Sequence, residues 1–234
     1  MRIHRPLAVL AVCIFFLSTQ ELTHAASKEA QVQYNARLNV TSGADLDKRL
    51  RAPFSNDTAH PAGILNCTQL LARQGRVQQA SGQEFQAERS TLVGCIVLRE
   101  LRRAVPARSS FVRVLTWDEH LLPLLPAQLA ITVSAEATRA AGAAADQGRS
   151  WQNFDPSIAS SISSKGPDEI VVTGNGFIER LVLWGRGDFD GDGLEGLLVQ
   201  SFDTLTEGTY RNTRLFVLTR HSSDGQLSLA HSLF

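Results

Sequence analysis

The sequence predicts an α+β fold: an N-terminal helical half, disulfide-linked, packed on a C-terminal five-stranded antiparallel meander. Three observations carry that expectation. Between residues 83 and 104, Phe85, Leu92, Val93, Ile96, Val97 and Leu101 recur at helical spacing. From Glu169 onward, short apolar runs alternate with Asn-Gly, Glu-Gly and Asp-Gly turns. Cys67 and Cys95 fall in two predicted helices, where a bridge would pin one to the other.

The first 25 residues read as a secretory signal peptide. Arg2 and Arg5 precede an apolar stretch from Leu7 to Leu17, and Thr23-His24-Ala25 offers small residues for cleavage. That apolar stretch is too short to span a bilayer, and no later one is longer, so no transmembrane anchor is expected in the mature chain. Export places Cys67 and Cys95 in an oxidising compartment, where pairing is the expectation and two buried free thiols the alternative. A bridge closing about 29 residues contributes roughly 3 to 4 kcal/mol on the chain-entropy model. Basic residues are nearly all Arg, with Lys only at Lys28, Lys48 and Lys165, and Ala is abundant. That bias points to the periplasm or exterior of a Gram-negative bacterium.

Residues 26–62 are polar and aperiodic, which predicts an extended or disordered lead-in to a single domain over 63–234. Within that domain 63–165 reads as mostly helical and 166–234 as the meander. A short helix is expected over 64–71 and the long one over 83–104, which Pro106 ends. Residues 110–116 alternate in the manner of a strand. Asp118 is placed to cap a short helix in which Leu121, Leu122, Leu124 and Leu125 bury themselves. Residues 128–134 fit either a strand or the start of a helix that runs through the alanines to Ala145, and Trp151 and Phe154 are expected on the core. In the meander, Leu215, Val217 and Thr219 alternate with Phe216 and Leu218, so both faces of that strand are apolar and the helical half is expected to cover one side.

Charge is balanced overall, but residues 26–149 carry 15 Lys/Arg against 11 Asp/Glu and residues 150–234 carry 6 against 11. Neither half has the clustered basic face that nucleic acid requires, so no nucleic-acid partner is expected. Much of the acidity lies in residues 187–199, where Asp188, Asp190 and Asp192 alternate with residues that include two glycines. Carboxylates about 4 Å apart repel by roughly 4 kcal/mol per pair at an effective dielectric near 20, a cost that a bound cation removes. Oxygen ligands at alternate positions of a tight loop suit Ca2+, with Gly193 for the turn and the Leu194 carbonyl as a further oxygen. An EF-hand is excluded because its twelfth position, a bidentate Glu, is Val199 here and both flanks read as strands.

Residues 187–199 resemble the calcium loop of FG-GAP and VCBS-type repeats of integrin-like β-propellers, in which D-x-D-x-D-G-x-x-D joins two strands. The resemblance covers about a dozen residues and occurs once, so it implies one calcium-binding hairpin and no propeller. Where that pattern has its final Asp this chain has Gly196, with Glu195 one place earlier. Glu195 substitutes through a bulge, or water fills the position; either way binding is expected to be weaker than in a complete loop. Arg186-Gly187-Asp188 spells an integrin-recognition tripeptide, but its Asp is committed to the loop.

Recognised catalytic signatures are absent: there is no nucleophile elbow, zinc-protease helix, phosphate loop or dinucleotide fingerprint. Asp118, Glu119 and His120 stand together beside Trp117 and are the weak catalytic candidates. The reading that follows is an exported, calcium-binding interaction protein, more a binder than an enzyme. Its ion stiffens a hairpin that helps present a surface to a protein or glycan. A periplasmic hydrolase with structural calcium and an inhibitor or immunity-type protein are the alternatives.

Overall fold

The computed structural model describes residues 32–34, 47, 66–72, 83–158, 162–174 and 176–234. The expected signal peptide over residues 1–25 and most of the expected lead-in lie outside these residues. An exception is strand β1 (Gln33–Tyr34), which pairs antiparallel with the end of a central strand. Two helices follow, α1 (Cys67–Ala72) and α2 (Gln83–Arg103). They are joined by the Cys67–Cys95 disulfide, with Cα atoms 5.2 Å apart. Asn66 Oδ1 accepts from Gln69 N at the start of α1, and Cys67, Leu70 and Cys95 are buried together against α2. The bridge thus replaces the apolar area that so short a helix lacks.

Beyond α2 the strand expected over 110–116 does not form. Ser110 Oγ accepts the amides of Val112 and Arg113, and Leu115 N donates to Val112 O, so the chain turns. A hydroxyl that bonds its own downstream backbone competes with a strand ladder. A 3₁₀ helix follows at Glu119–Leu124, capped by Asp118, and then a 3₁₀ turn at Ala127–Leu129. Residues 128–134 are therefore neither a strand nor a continuous helix, because Ser134 caps α3 (Ala135–Asp146) by accepting from Ala137 N. Helix α4 (Trp151–Phe154) sets Trp151 fully inside the core, as expected.

Beside the short β1, the sheet among the described residues runs through six antiparallel strands rather than five, adjacent in chain order. They are β2 (Ile162–Ser164), β3 (Glu169–Gly174), β4 (Phe177–Gly187), β5 (Gly196–Leu205), β6 (Arg211–Thr219) and β7 (Ser228–Ser232). The extra strand is β2, whose residues face Val172, Val171 and Ile170. It was missed because an edge strand is held by backbone bonds and needs no apolar alternation of its own.

The helical half does not cover one side of the sheet; it divides and covers both. Leu181, Leu183, Val199, Phe216 and Leu218 face a core closed by Trp117, the leucines of the two 3₁₀ segments and Trp151. On the other face Leu198, Leu215 and Val217 meet Val93, Ile96, Val97 and Leu101 of α2. Residues 196–201 of β5 are consequently buried without a break. Among them Leu197, Leu198 and Val199 each contribute about 1.5 to 3 kcal/mol of transfer free energy. The β4–β5 hairpin is the middle of this three-layer stack, and its closed end carries the acidic loop.

Candidate metal centre

Asp188, Asp190 and Asp192 each direct a carboxylate oxygen into one small volume, all within 4.8 Å of one another. Asp188 is buried, while Asp190 and Asp192 are exposed. Local hydrogen bonds set this arrangement. Asp188 Oδ1 accepts from Asp190 N and Gly191 N, and its Oδ2 from Gly193 N. Asp190 Oδ1 accepts from Asp192 N, and Asp192 Oδ1 from Leu194 N. Each aspartate thus folds the two residues after it, the habit of Asp in turns, and the alternate spacing carries the acids round one centre. An ionised carboxylate has about four lone-pair sites, so these bonds leave capacity for a cation. His231 Nε2 lies 3.9 Å from Asp190 Oδ2 at the rim.

The chain leaving α2 staples the loop from outside. Val105 and Asp188 exchange both backbone bonds, Arg108 N and Ser109 N donate to Gly193 O, and Glu195 N donates to Ser109 O. Gly193 has φ +86, which favours glycine at this turn, and a Cβ there would lie 2.5 Å from Arg108 Nε, so the arginine would have to move aside. Leu194 follows as a half-buried residue bridged to Ser109.

Glu195 takes up another role. It is fully buried, and its carboxylate accepts from Ser110 Oγ and from Arg113 Nε and Nη2. The acidic cluster is the three aspartates, and the glutamate holds the turn at residues 110–113 against the end of the hairpin. Position 196, where the repeat pattern has its final acid, is tight. A Cβ on Gly196 would sit 3.3 Å from Leu218 O and from a methyl of Val217, so these neighbours would have to give by a few tenths of an ångström. Arg186 is equally committed. It donates from Nη1 to Val112 O at 2.8 Å, and burial lowers its pKa while Glu195 counters that shift. The Arg-Gly-Asp tripeptide is therefore folded into the protein.

At residues 118–120 the side chains do local work. Asp118 Oδ1 accepts from His120 N as the cap of the 3₁₀ helix, and the Thr116 hydroxyl, then that amide, hold its carboxyl below the usual range. Glu119 and His120 are exposed.

A second charged group was not expected. Glu179 on β4 is opposite Asp203 on β5, and both are buried. Arg214 of β6 reaches them, with Nη2 3.2 Å from Glu179 Oε1 and Nε 2.8 Å from Asp203 Oδ2. The same guanidinium donates to the carbonyls of Gln128, Leu129 and Ala130, tying the sheet to the 3₁₀ layer. Burial pushes the Glu179 carboxyl well above the usual range; Arg214 pulls it back and Asp203 adds to the rise. Glu179 Oε2 has no hydrogen-bond partner. Two carboxylates share one cation here, and burial favours the neutral form of the glutamate. A signal for this group does exist in the sequence. Glu179, Asp203 and Arg214 each extend the series of side chains that β4, β5 and β6 point at the same core, and they carry opposite charges.

Comparison with family models, with curated proteins and with solved structures gave no match.

Proposed function

We propose that this chain is an exported interaction protein that binds Ca2+ at Asp188, Asp190 and Asp192, the ion stiffening the closed end of the β4–β5 hairpin. The observation that carries this reading is the convergence of three alternate carboxylates within 4.8 Å at a strand-to-strand loop. Repulsion among them opposes folding until a cation arrives, and hard oxygen donors in a flexible loop favour Ca2+ over the stricter octahedral Mg2+. The likeness of residues 187–199 to the FG-GAP and VCBS-type loop supports the same ion. With Glu195 bound elsewhere and no acid at 196, affinity belongs in the weak extracellular class, about 10⁻⁴ to 10⁻³ M. Cys67–Cys95 pairing and the amino-terminal signal pattern support export. No helix among the described residues is long and apolar enough to cross a membrane.

The partner is a protein or glycan, met by a surface that includes the stapled loop. Because Val105 to Ser109 already hold its backbone, the ion's contribution is chiefly to relieve charge. Calcium at about 10 mM, roughly 10 to 100 times Kd, is expected to add about 1.4 to 2.7 kcal/mol of stability, visible as a raised Tm. Asp190→Ala, at an exposed position, is expected to fold and to lose the rise. An unchanged Tm for the unmodified protein across millimolar calcium overturns the metal reading.

A further inference from the structure

Among the described side chains of α2, Val93, Ile96, Val97 and Leu101 pack with Leu198, Leu215 and Val217, and at Ser90 the helix borders a cavity of about 410 Å³ over the outer ends of β3 to β6. The floor is two rows of three residues in register: Arg180, Phe202 and Thr213, then Ile178, Thr204 and Arg211. Alternation along each strand turns all six toward the cavity, which they line. Cations therefore stand on both sides of β5, with hydroxyl groups between them.

The state of those cations differs. Arg180 is stacked at 4.0 Å over the Phe202 ring and lies 3.7 Å from Glu169 Oε1, which fixes its orientation. Arg211 is exposed, and its side chain makes no ion pair or hydrogen bond among the described residues. On the helix side, Arg89 donates from Nη2 to Asn212 Oδ1 and Thr213 O at 2.9 and 3.0 Å. The nearby acids are already engaged, Glu169 beside Arg180 and Asp203 on Arg214. The cavity is thus a concave surface with positive charge left over.

We propose that this cavity binds a small, water-soluble oxyanion, a carboxylate or phosphate compound about the size of a dicarboxylic acid or a sugar phosphate. Its volume falls within the roughly 300 to 1,000 Å³ typical of ligand sites. A planar guanidinium presents paired N–H groups that match both carboxylate and phosphate, and Arg180, held by its ring and its acid, is pre-organised for that contact. Arg211 supplies the second charge from across β5, and Thr204 and Ser90 supply neutral polar contacts. The site is separate from the aspartate loop, so it does not depend on the metal reading.

The test is calorimetric titration of the purified, metal-free protein with succinate, inorganic phosphate, glucose 6-phosphate and neutral glucose. At least one anion is expected to bind with Kd below about 1 mM, and glucose is expected not to bind. Arg211→Gln and Arg180→Gln are each expected to weaken that binding by about tenfold or more at unchanged Tm, while Arg139→Gln on α3 leaves it intact. Succinate alone, or the phosphates alone, identifies the anion's source. No binding by any anion, binding by glucose alone, or equal loss in the Arg139 variant overturns the proposal.

Discussion

At the closed end of the β4–β5 hairpin three aspartates crowd within 4.8 Å with two of them open to water, whereas Glu179 and Asp203 are sealed in the core against Arg214. Glu179 and Asp188 are nine residues apart, about 30 Å along β4 at roughly 3.3 Å per residue. In the interior the chain supplies its own cation, and burial favours the neutral form of Glu179. At the loop it gathers three carboxylates, with Arg108 donating to the Asp192 carbonyl and His231 at the rim. Acids gathered in a core must be answered by the fold itself, because water and salt do not reach them. Acids gathered at the surface can wait for an ion from solution.

The interior group is where the comparison breaks hardest. Arg214→Met leaves Asp203 buried without its cation and cuts the bonds to Gln128, Leu129 and Ala130. Such a variant is expected to lose about 3 to 5 kcal/mol, measured by urea unfolding. A loss under about 1 kcal/mol shows the arginine to be incidental.

Next comes Glu195, which sits between the two regions in character, being buried like Glu179 yet adjacent to the loop. Glu195→Ala is expected to lose about 2 kcal/mol through its charged hydrogen bonds to Ser110 and Arg113. Its calcium affinity, measured by titration, is expected to stay within about twofold of the unmodified protein, since the variant keeps all three loop carboxylates. A tenfold fall in affinity makes the glutamate a ligand after all.

The smallest effect is a slope in pH. Below the ordinary glutamate pKa of about 4.3, folded and unfolded chains both carry the proton on Glu179 and its pKa shift costs nothing. Above it the unfolded chain releases a proton that the folded chain keeps, so stability falls as pH rises, by up to about 1.4 kcal/mol per unit until the folded group ionises. Glu179→Gln has no such proton to release. Unfolding free energies of the two proteins are therefore expected to diverge above about pH 4.3, with the variant gaining, and parallel curves refute the assignment.

What was legible in the sequence shares one property: its signal is local. The stripe on α2, the cap at Asp118 and the run of alternate aspartates each lie within one continuous segment of chain. The group of Glu179, Asp203 and Arg214 is spread over three strands, and only the register of the sheet brings it together. Residues 110–116 were misread for the same reason. Ser110 turns the chain there, and the turn is held by Glu195, which is 85 residues away. The division of the helical half into two layers was missed because both faces of β6 are apolar, a pattern that does not say how many layers meet them.

The staple between residues 105–109 and the acidic loop also decides where this protein tolerates change in length. Five backbone bonds lock the two segments in step, so one inserted residue on either side would put every later pair out of register. The opposite tip of the sheet, exposed at Thr206, Glu207 and Gly208, is tied to a neighbouring loop by one backbone bond, from Thr206 N to Gly176 O. An affinity tag or fluorescent reporter belongs there, leaving the loop free for whatever it meets.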